Sequence, residues 1–367
     1  MFSIFLVSVG TACGLTTFLA LLMVIADATI ANYGEVKLTV NGERELTVEG
    51  GASLLSTLKN EKIFIPSACG GRGSCGLCKV KVLDGAGGLL PTELPWLDDE
   101  ERKNNVRLSC QIKVKQDMAI QIPEELFSVK EFQTEVASIV DLTYDTKQIR
   151  LKLVEPSEID LISGQFVQFV APEYEMSDEP VYRAYSVASQ PSRKNEIELE
   201  VRLVPNGICT TFIHEYLAEG DTVTVNGPYG DFHLSDTDKD IIFIAGGSGM
   251  APIKAILHDM LEKGIHRRVR YFFGGRALKD LFLIEEMRDL EKKLPDFKFV
   301  PALSEPSPDD DWNGETGLIT EVVGKYVGSA EDKEAYLCGS PGMIDACIEV
   351  LTRKGMSEEL IFYDKFA

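Results

Sequence analysis

The sequence predicts several domains of different fold class: an apolar N-terminal helix, a small α+β domain, an antiparallel β-barrel and an α/β domain with a parallel sheet. Three observations predict this division. Residues 2–26 carry no charge, short alternating strand patterns fill the middle of the chain, and from Asp240 onward strand patterns alternate with helical ones. A chain of 367 residues is long enough for two or three separate cores.

The overall charge limits the kind of partner. A net charge of −21 argues against nucleic acid, because phosphates repel an acidic protein that has no surplus cations to replace their counterions. The four histidines show no metal-ligand spacing, so we expect no histidine metal site.

The N-terminal residues 1–33 are predicted to form a membrane anchor. At about 1.5 Å per residue, a helix over the uncharged run from Phe2 to Ala26 spans roughly 37 Å, which exceeds the ~30 Å of a hydrocarbon core. The alternative is a cleaved signal peptide with a site at residues 25–28. No Lys or Arg precedes the apolar run, which is also longer than a usual signal core, so the anchor is favoured.

Four cysteines form the most specific pattern in the chain. Cys69, Cys75 and Cys78 share one glycine-rich loop. Cys110 follows on a distant segment, and this C-x5-C-x2-C…C spacing predicts the ligands of a 2Fe-2S cluster. A zinc site usually shows two compact cysteine pairs, and a disulfide framework is uncommon in a long chain without other secretory features. Both alternatives are therefore weaker.

The segments around these cysteines predict a β-grasp ferredoxin domain over residues 34–130. Asn41-Gly42 is a hairpin signal, and Ser53 begins a short helix that ends at Asn60. Strand patterns occupy residues 35–40, 44–48, 79–82 and 108–114. A small sheet that holds one helix is the arrangement expected of this fold.

Residues 131–235 are predicted to form an FAD-binding barrel. Short strand patterns with little helix between them favour a closed antiparallel sheet. They occupy residues 134–143, 149–154, 165–171, 183–189, 196–204 and 222–225.

The motif Arg183-Ala-Tyr185-Ser186 gives that barrel its predicted ligand. Alternate residues of a strand face the same way, so Arg183 and Tyr185 offer a planar cation and an aromatic ring to one flavin diphosphate. Ser186 would supply a small donor near flavin N5. Gly207 and Thr210 open a predicted helix over 211–217 and would offer N–H groups and a hydroxyl to the pyrophosphate.

Residues 236–367 are predicted to form an NADH-binding domain with a parallel sheet and helices on both faces. The predicted strands are 241–245, 269–274, 297–303 and 335–338, and the predicted helices are 251–263, 281–294, 319–327 and 343–355. Three of the strands end in glycines: Gly246, Gly247 and Gly249, then Gly274, then Gly339. Open α/β sheets bind ligands at the carboxyl ends of strands, so these turns predict one dinucleotide site, although each turn alone is also explained as a tight connection.

Three motifs in this order resemble the ferredoxin-NADP reductase superfamily: Arg183-Ala-Tyr-Ser186, Gly246-Gly-Ser-Gly-Met-Ala-Pro252 and Cys338-Gly-Ser-Pro-Gly342. With a ferredoxin segment and an apolar helix ahead of them, nearly the whole chain resembles the family of F subunits of sodium-translocating NADH:quinone reductases. The loop between Ala171 and Pro180 is shorter than the insertion typical of that family.

The resemblance implies FAD, NADH and a 2Fe-2S cluster as cofactors. It implies that Cys338 lies beside the nicotinamide, that Phe366 stacks on the flavin, and that Ser186 completes this catalytic set. We expect NADH rather than NADPH, because Asp280 and no basic cluster follows Arg276, whereas a 2′-phosphate needs a basic group.

Electron counting orders these cofactors. NADH gives two electrons at once and a 2Fe-2S cluster takes one, so the flavin must stand between them. The resemblance implies that other membrane subunits pass the electrons to quinone, with a single-pass anchor in the inner cell membrane and soluble domains in the cytoplasm. The alternatives are a free-standing reductase that feeds an oxygenase or another soluble acceptor, and a non-catalytic iron–sulfur sensor.

Overall fold

A computed structural model describes residues 2–26 and 33–366, with side chains described at 9–24 and 33–366. Helix α1 is Phe2–Ala26, and its described side chains are exposed. Among the residues described here, no helix has both the length and the apolar character needed to cross a membrane. The cleavage site considered at residues 25–28 extends outside the described part.

Contacts between Cα atoms divide the chain into two compact units. The first comprises Met1–Ser67 and Gly71–Ser128, and the second comprises Ala68–Gly70 and Val129–Ala367. Each unit has its own sheets and its own apolar core, and each is described separately below.

The first unit is built on a five-stranded sheet in the order β2-β1-β5-β3-β4. Its elements are β1 (Glu35–Val40), β2 (Arg44–Glu49), α2 (Leu54–Asn60), β3 (Lys79–Asp84), α3 (Asp99–Lys103), β4 (Val106–Leu108) and β5 (Met118–Gln121). Strands β1 and β5 are parallel and the other pairs are antiparallel. Leu54 and Leu58 of α2 are fully buried against Leu38 and Ile120 of the sheet, so the predicted sheet that holds one helix is confirmed.

One strand of this unit differs from its prediction. The predicted strand over residues 108–114 is wrong beyond Leu108, because the Gln111 N–H donates to the Leu108 carbonyl and turns the chain away from the sheet. The central position of the sheet, between β1 and β3, is occupied by β5, a strand that was absent from the sequence-based prediction.

The second unit begins with a six-stranded antiparallel sheet in the order β10-β7-β6-β11-β8-β9. The strands are β6 (Lys130–Asp141), β7 (Thr146–Glu155), β8 (Phe166–Ala171), β9 (Val181–Ser186), β10 (Glu196–Arg202) and β11 (Thr222–Tyr229). A bridge between Val187 and Leu199 joins the two outer strands, so the sheet closes and the predicted barrel is confirmed. The predicted helix over 211–217 begins earlier, as α4 (Ile208–Thr211), and continues as a π-helical turn over Phe212–Tyr216.

The rest of the second unit is a six-stranded parallel sheet in the order β15-β14-β13-β12-β16-β17. Its strands are β12 (Asp240–Gly246), β13 (Val269–Gly275), β14 (Phe297–Leu303), β15 (Glu315–Thr316), β16 (Lys333–Gly339) and β17 (Ile361–Lys365). Its helices are α5 (Met250–Lys263), α6 (Ile284–Lys293), α7 (Ile319–Tyr326) and α8 (Pro341–Arg353). Ile253 and Met287 belong to one apolar cluster and Val323 and Ile344 to another, which confirms helices on both faces. Strands β15 and β17 were not predicted.

Candidate functional site

The glycine turns predicted to bind a dinucleotide lie at one edge of the parallel sheet. In the ladder, Gly246 of β12 lies opposite Gly274 of β13, and Ala245 lies opposite Cys338 of β16. The carboxyl ends of three neighbouring strands therefore lie side by side, as the sequence predicted.

Two of these glycines allow the backbone to approach closely. A Cβ at Gly249 would collide with the carbonyl oxygen of Cys338, and Gly339 has a φ of +145°. Gly247 has a φ of +56°, and a Cβ there would meet only Arg202, 3.8 Å from its Nη1 atom. The turn thus leaves bare backbone beside a guanidinium, which suits a phosphate-bearing ligand.

Arg202 is a residue that sequence reasoning missed. It ends β10, and its Nε atom donates to Asp145 Oδ2 at 2.7 Å. Its side chain is 53% exposed, so the guanidinium is held by one carboxylate and still reaches solvent beside Gly247. Nothing in the local sequence distinguishes Arg202 from any other charged strand end.

Phe366 is held to the end of β16, next to Cys338, by a backbone hydrogen bond. Strand β17 runs parallel to β16 with Asp364 opposite Cys338, and the Phe366 N–H donates to the Gly339 carbonyl at 2.8 Å. Cys338 is fully buried, and burial, followed by the charge of Asp364, raises the pKa of its thiol well above the usual value. Burial also raises the pKa of Asp364 to about 6. The sequence predicted Cys338 and Phe366 here but missed Asp364, because β17 itself was missed.

The predicted flavin motif lies on β9. Ser186 is buried, and Arg183 donates from Nη1 to the Tyr182 carbonyl at 2.6 Å. The hydroxyl of Tyr185 is buried and has no hydrogen-bond partner within the described chain. An unpartnered buried hydroxyl is costly, and a ligand with polar atoms on this strand would remove the cost. The strand therefore fits a flavin.

Thr210 makes hydrogen bonds within its own turn. Its Oγ1 donates to the Gly207 carbonyl at 3.1 Å and accepts a hydrogen bond from Val204 N–H at 3.2 Å. A Cβ at Gly207 would lie 2.5 Å from this hydroxyl, so glycine is needed there. The Thr210 hydroxyl therefore closes the turn before α4, and its support of a pyrophosphate stays a prediction.

The part of the cysteine loop that lies in the first unit depends on glycines. Gly71, Gly73 and Gly76 have φ values of 85°, 75° and 71°, a region that suits glycine. A Cβ at Gly76 would lie 2.9 Å from the Trp96 ring, so the loop packs tightly there.

Two cysteines predicted as cluster ligands lie next to each other in this unit. The Cys78 and Cys110 side chains hydrogen-bond to each other, and this bond, then burial, raises the pKa of the Cys78 thiol. Ser109 donates from Oγ to the Cys78 carbonyl at 3.0 Å. In the described chain no three His, Cys, Asp or Glu side chains are placed to hold a single metal ion. Paired thiols beside a glycine loop fit a 2Fe-2S cluster, in which each iron takes two cysteines.

A buried ion pair holds the strand that leads to Cys110. Arg107 and Glu93 are 4% and 0% exposed, and Arg107 Nη2 donates to Glu93 Oε2 at 2.6 Å. Glu93 Oε1 also accepts the Leu108 N–H at 2.9 Å, and Arg107 donates to the Gly87 and Gly88 carbonyls. This network fixes the loop between β3 and α3 against β4.

Comparison with known families assigns each folded part a class. Residues 38–115 match the 2Fe-2S iron-sulfur cluster binding domain, residues 133–234 the oxidoreductase FAD-binding domain and residues 243–349 the oxidoreductase NAD-binding domain. The fold and the sites thus define an FAD- and 2Fe-2S-dependent NADH oxidoreductase, in which electrons pass from NADH to FAD and then to the cluster.

Full-length relatives give the family. The chain is 37% identical over 388 residues to the F subunit of the Na(+)-translocating NADH-quinone reductase of Neisseria meningitidis serogroup C, covering 95% of this chain and 96% of the relative. The chain belongs to this family of F subunits. Two solved structures are also similar: a cytochrome P450 reductase from Amycolatopsis (29% identity, TM-score 0.73, 90% of this chain and 98% of the other) and a ferredoxin reductase in carbazole 1,9a-dioxygenase (26% identity, TM-score 0.69, 91% and 98%).

Proposed function

We propose that this chain is the NADH-oxidising subunit of a membrane quinone reductase and delivers electrons to membrane partner subunits. The observation that carries the proposal is the likeness to F subunits of Na(+)-translocating NADH-quinone reductases, which extends over 95% of the chain. Coupling to sodium transport would then belong to the assembled complex.

The cofactors divide the chemistry between the two units. When bound, FAD accepts a hydride from NADH and releases electrons singly, and the 2Fe-2S cluster takes them one at a time. In this proposal the ligands of the cluster are Cys69, Cys75, Cys78 and Cys110. Arg183 would neutralise the flavin diphosphate, Tyr185 would donate its otherwise unpartnered hydroxyl, and Ser186 would face flavin N5. The turn at Gly207, which Thr210 holds closed, lies next to the pyrophosphate.

NADH would bind at the glycine turns that follow the carboxyl ends of β12, β13 and β16. Its contact residues in this proposal are Gly246, Gly247, Gly249, Gly274, Gly339 and Arg202. Cys338 would lie beside the nicotinamide, and Phe366 would cover the flavin until nicotinamide displaces it. NADH is preferred over NADPH because Arg276 already donates to Glu305 at 3.2 Å, so a 2′-phosphate would compete with a carboxylate.

We further propose the domain boundaries 34–130 for the ferredoxin domain, 131–235 for the FAD barrel and 236–367 for the NADH domain, behind an anchor over 1–33. The three family matches fall inside these ranges. The anchor proposal rests on the uncharged sequence of residues 2–26 and on exposed apolar side chains of α1, among them Leu15, Phe18 and Met23. It would place a single-pass protein in the cell membrane with its folded units in the cytoplasm.

Purification of the full-length chain from gently solubilised membranes tests the proposal. Several multispanning proteins should co-purify, and the preparation should reduce quinone with NADH. Recovery in the soluble fraction would contradict the anchor. Recovery alone, with ferricyanide but not quinone reduced, would contradict the quinone pathway.

The second candidate is a free-standing NADH reductase for an oxygenase. It is favoured by the near-complete coverage of two solved reductases, one named for a cytochrome P450 and one for a dioxygenase. The short loop between Ala171 and Pro180 also departs from the quinone reductase family. Transfer of electrons from the soluble part of the chain to a purified oxygenase partner, at a rate independent of membranes, would support this candidate.

A further inference from the structure

Glu200 lies on β10 next to both proposed ligand sites. The bridge between Val187 and Leu199 is antiparallel, which places Ser186 opposite Glu200 on the adjacent strand. Residues opposite each other in such a pair point to the same face, with Cβ atoms about 5 Å apart. Two residues further along β10, Arg202 lies beside Gly247 of the dinucleotide turn.

The carboxylate of Glu200 is buried without a hydrogen bond. The residue is 2% exposed, and neither Oε1 nor Oε2 has a hydrogen-bond partner in the described chain. The nearest cation is Lys254 of α5, whose Nζ is 3.7 Å from Glu200 Oε1. A buried carboxylate that lacks hydrogen-bond donors is unusual for a purely structural group, because the attraction of one cation at 3.7 Å offsets its desolvation only in part.

Lys254 forms ion pairs with two further carboxylates besides Glu200. Its Nζ donates to Glu198 at 2.5 Å and lies 3.7 Å from Glu286 of α6. The titratable and charged groups that face this network are Glu198 of β10, Arg150 of β7, Lys254 and His258 of α5, Glu286 of α6 and Tyr271 of β13. One ammonium is therefore shared by three carboxylates.

Because three carboxylates share one cation, the protonated form of Glu200 is favoured. Burial, more than offsetting the attraction of Lys254 and reinforced by the charges of Glu198 and Glu286, raises the pKa of Glu200 to about 8. Both protonation states are thus accessible near neutral pH. The network also reaches solvent, because Glu286 Oε1 lies 2.7 Å from His258 Nε2 and both side chains are partly exposed.

We propose that Glu200 is the proton-exchanging group of the flavin site and acts through the hydroxyl of Ser186. This inference rests on the proposed function, in which Ser186 faces flavin N5. With FAD bound and reduced, the hydrogen on flavin N5 would have to leave as a proton once both electrons have gone, one at a time, to the 2Fe-2S cluster. That proton would pass to Ser186 Oγ while the hydroxyl proton passes to a Glu200 oxygen, so one N–H bond would break, one carboxyl O–H bond would form, and charge would balance. Neither Glu200 oxygen accepts a hydrogen bond in the described chain, so the Ser186 side chain has to turn towards the carboxylate for this transfer.

A structural role makes different predictions. If Glu200 only tied β10 to α5 through Lys254, Glu200→Gln would change stability and leave the pH dependence of flavin oxidation unchanged. Glu198→Gln is the matched control, since Glu198 is buried on the same face of the same strand and makes the shorter contact with Lys254.

The experiment uses the full chain with FAD and cluster bound. After reduction by NADH, the rate of flavin reoxidation by ferricyanide is followed by stopped flow between pH 6 and 9.5. We expect the wild-type rate to rise severalfold through a pKa near 8, as the carboxylate form becomes available. Glu200→Gln should lose this rise, and Glu198→Gln should keep it with a midpoint at lower pH, because one neighbouring negative charge has gone.

A second readout does not depend on turnover. The reduced-minus-oxidised infrared spectrum of the wild-type protein should contain a carboxyl C=O band that Glu200→Gln lacks and Glu198→Gln retains. Ser186→Ala should lose the pH rise with Glu200 in place, which keeps the test valid if Glu200→Gln folds poorly. An unchanged pH profile and an unchanged infrared band in Glu200→Gln would overturn the inference. Failure of NADH to bleach the wild-type flavin would instead overturn the proposed function.

Discussion

Asp364 is the residue whose environment predicts the simplest pH effect. Burial raises the pKa of its carboxyl to about 6 from a usual 3.8. Between these two values the folded state holds a proton that the unfolded state has released. The contribution of Asp364 to the free energy of unfolding is therefore fully present below about pH 4 and is lost as pH rises through 6. We expect Asp364→Asn to stabilise the protein at pH 7 relative to wild type by roughly 1 to 3 kcal/mol, and to have little effect at pH 4.

Urea unfolding of both proteins at pH 4 and pH 7 measures this difference. Asp345→Asn is the control, because that carboxylate is 60% exposed and forms a surface ion pair with Lys365. Equal stabilities of Asp364→Asn and wild type at pH 7 would show that the Asp364 carboxyl is better solvated than its neighbours indicate.

Two glycines of the dinucleotide turn should respond differently to the same substitution. Gly249→Ala pushes a methyl group into the Cys338 carbonyl, whereas the methyl group of Gly247→Ala makes only an ordinary contact with Arg202 at 3.8 Å and the residue must adopt an unfavourable φ of +56°. We expect Gly247→Ala to cost about 1 kcal/mol of unfolding free energy and Gly249→Ala roughly 2 to 3 kcal/mol. Gly249→Ala should also raise the KM for NADH while dithionite still reduces the flavin. Equal costs for the two variants would contradict the close approach at Gly249.

At the residue scale, the cysteine and glycine motifs could be identified from the sequence, whereas the charged side chains near the proposed ligand sites could not. The four cysteines and the glycine turns repeat a spacing that their chemistry requires, so the sequence reveals them. Glu200 and Arg202 are ordinary strand residues in the sequence, and the roles proposed for them rest on the closed barrel, which brings β10 next to Ser186 and Gly247. Thr210 was predicted from its motif, and the structure adds that its hydroxyl closes its own turn.

The buried Glu93–Arg107 pair ties a loop to a strand in the first unit, and it predicts an effect on a whole element. Glu93→Gln leaves Arg107 as a buried charge without its partner and also weakens the Leu108 contact. We expect the first unit to lose about 3 to 5 kcal/mol of unfolding free energy, with faster loss of cluster absorbance on warming and unchanged FAD content. Asp99→Asn, which removes a surface pair with Arg102, should cost less than about 1 kcal/mol. Similar losses in the two variants would argue against a structural role for the buried pair.

Elements with strong periodicity were predictable, and short or edge elements were not. Strand β5 has only four residues, and its place at the centre of the sheet comes from pairing with β1 and β3, which local pattern does not record. Strand β17 lies at an edge with Tyr363 and Lys365 exposed, so it lacks the apolar run of the other parallel strands. The predicted strand over 108–114 failed because alternation continues through Cys110 although the backbone turns at Gln111.

At the scale of the whole molecule, the order of cofactors separates two measurable events. The FAD and NADH families match residues 133–349, and the cluster family matches residues 38–115. Flavin reduction needs only the former region, whereas delivery of single electrons to an external acceptor needs both. A defect confined to the cluster should therefore block the second event and spare the first.

Cys75→Ala tests this order directly. Loss of one of four thiolate ligands should abolish the visible absorbance and the reduced-state paramagnetic signal of the 2Fe-2S cluster. The residues proposed to bind NADH and FAD lie in the other unit, so the rate at which NADH bleaches the flavin should stay within about twofold of wild type. The rate of electron transfer to a protein acceptor should fall by at least about tenfold, which corresponds to ~1.4 kcal/mol of activation free energy. Cys347→Ala, a buried cysteine of α8 outside the predicted ligand set, should retain both activities. If flavin bleaching disappears in Cys75→Ala but not in Cys347→Ala, electrons do not enter at the flavin, and the order NADH, FAD, 2Fe-2S is wrong for this chain.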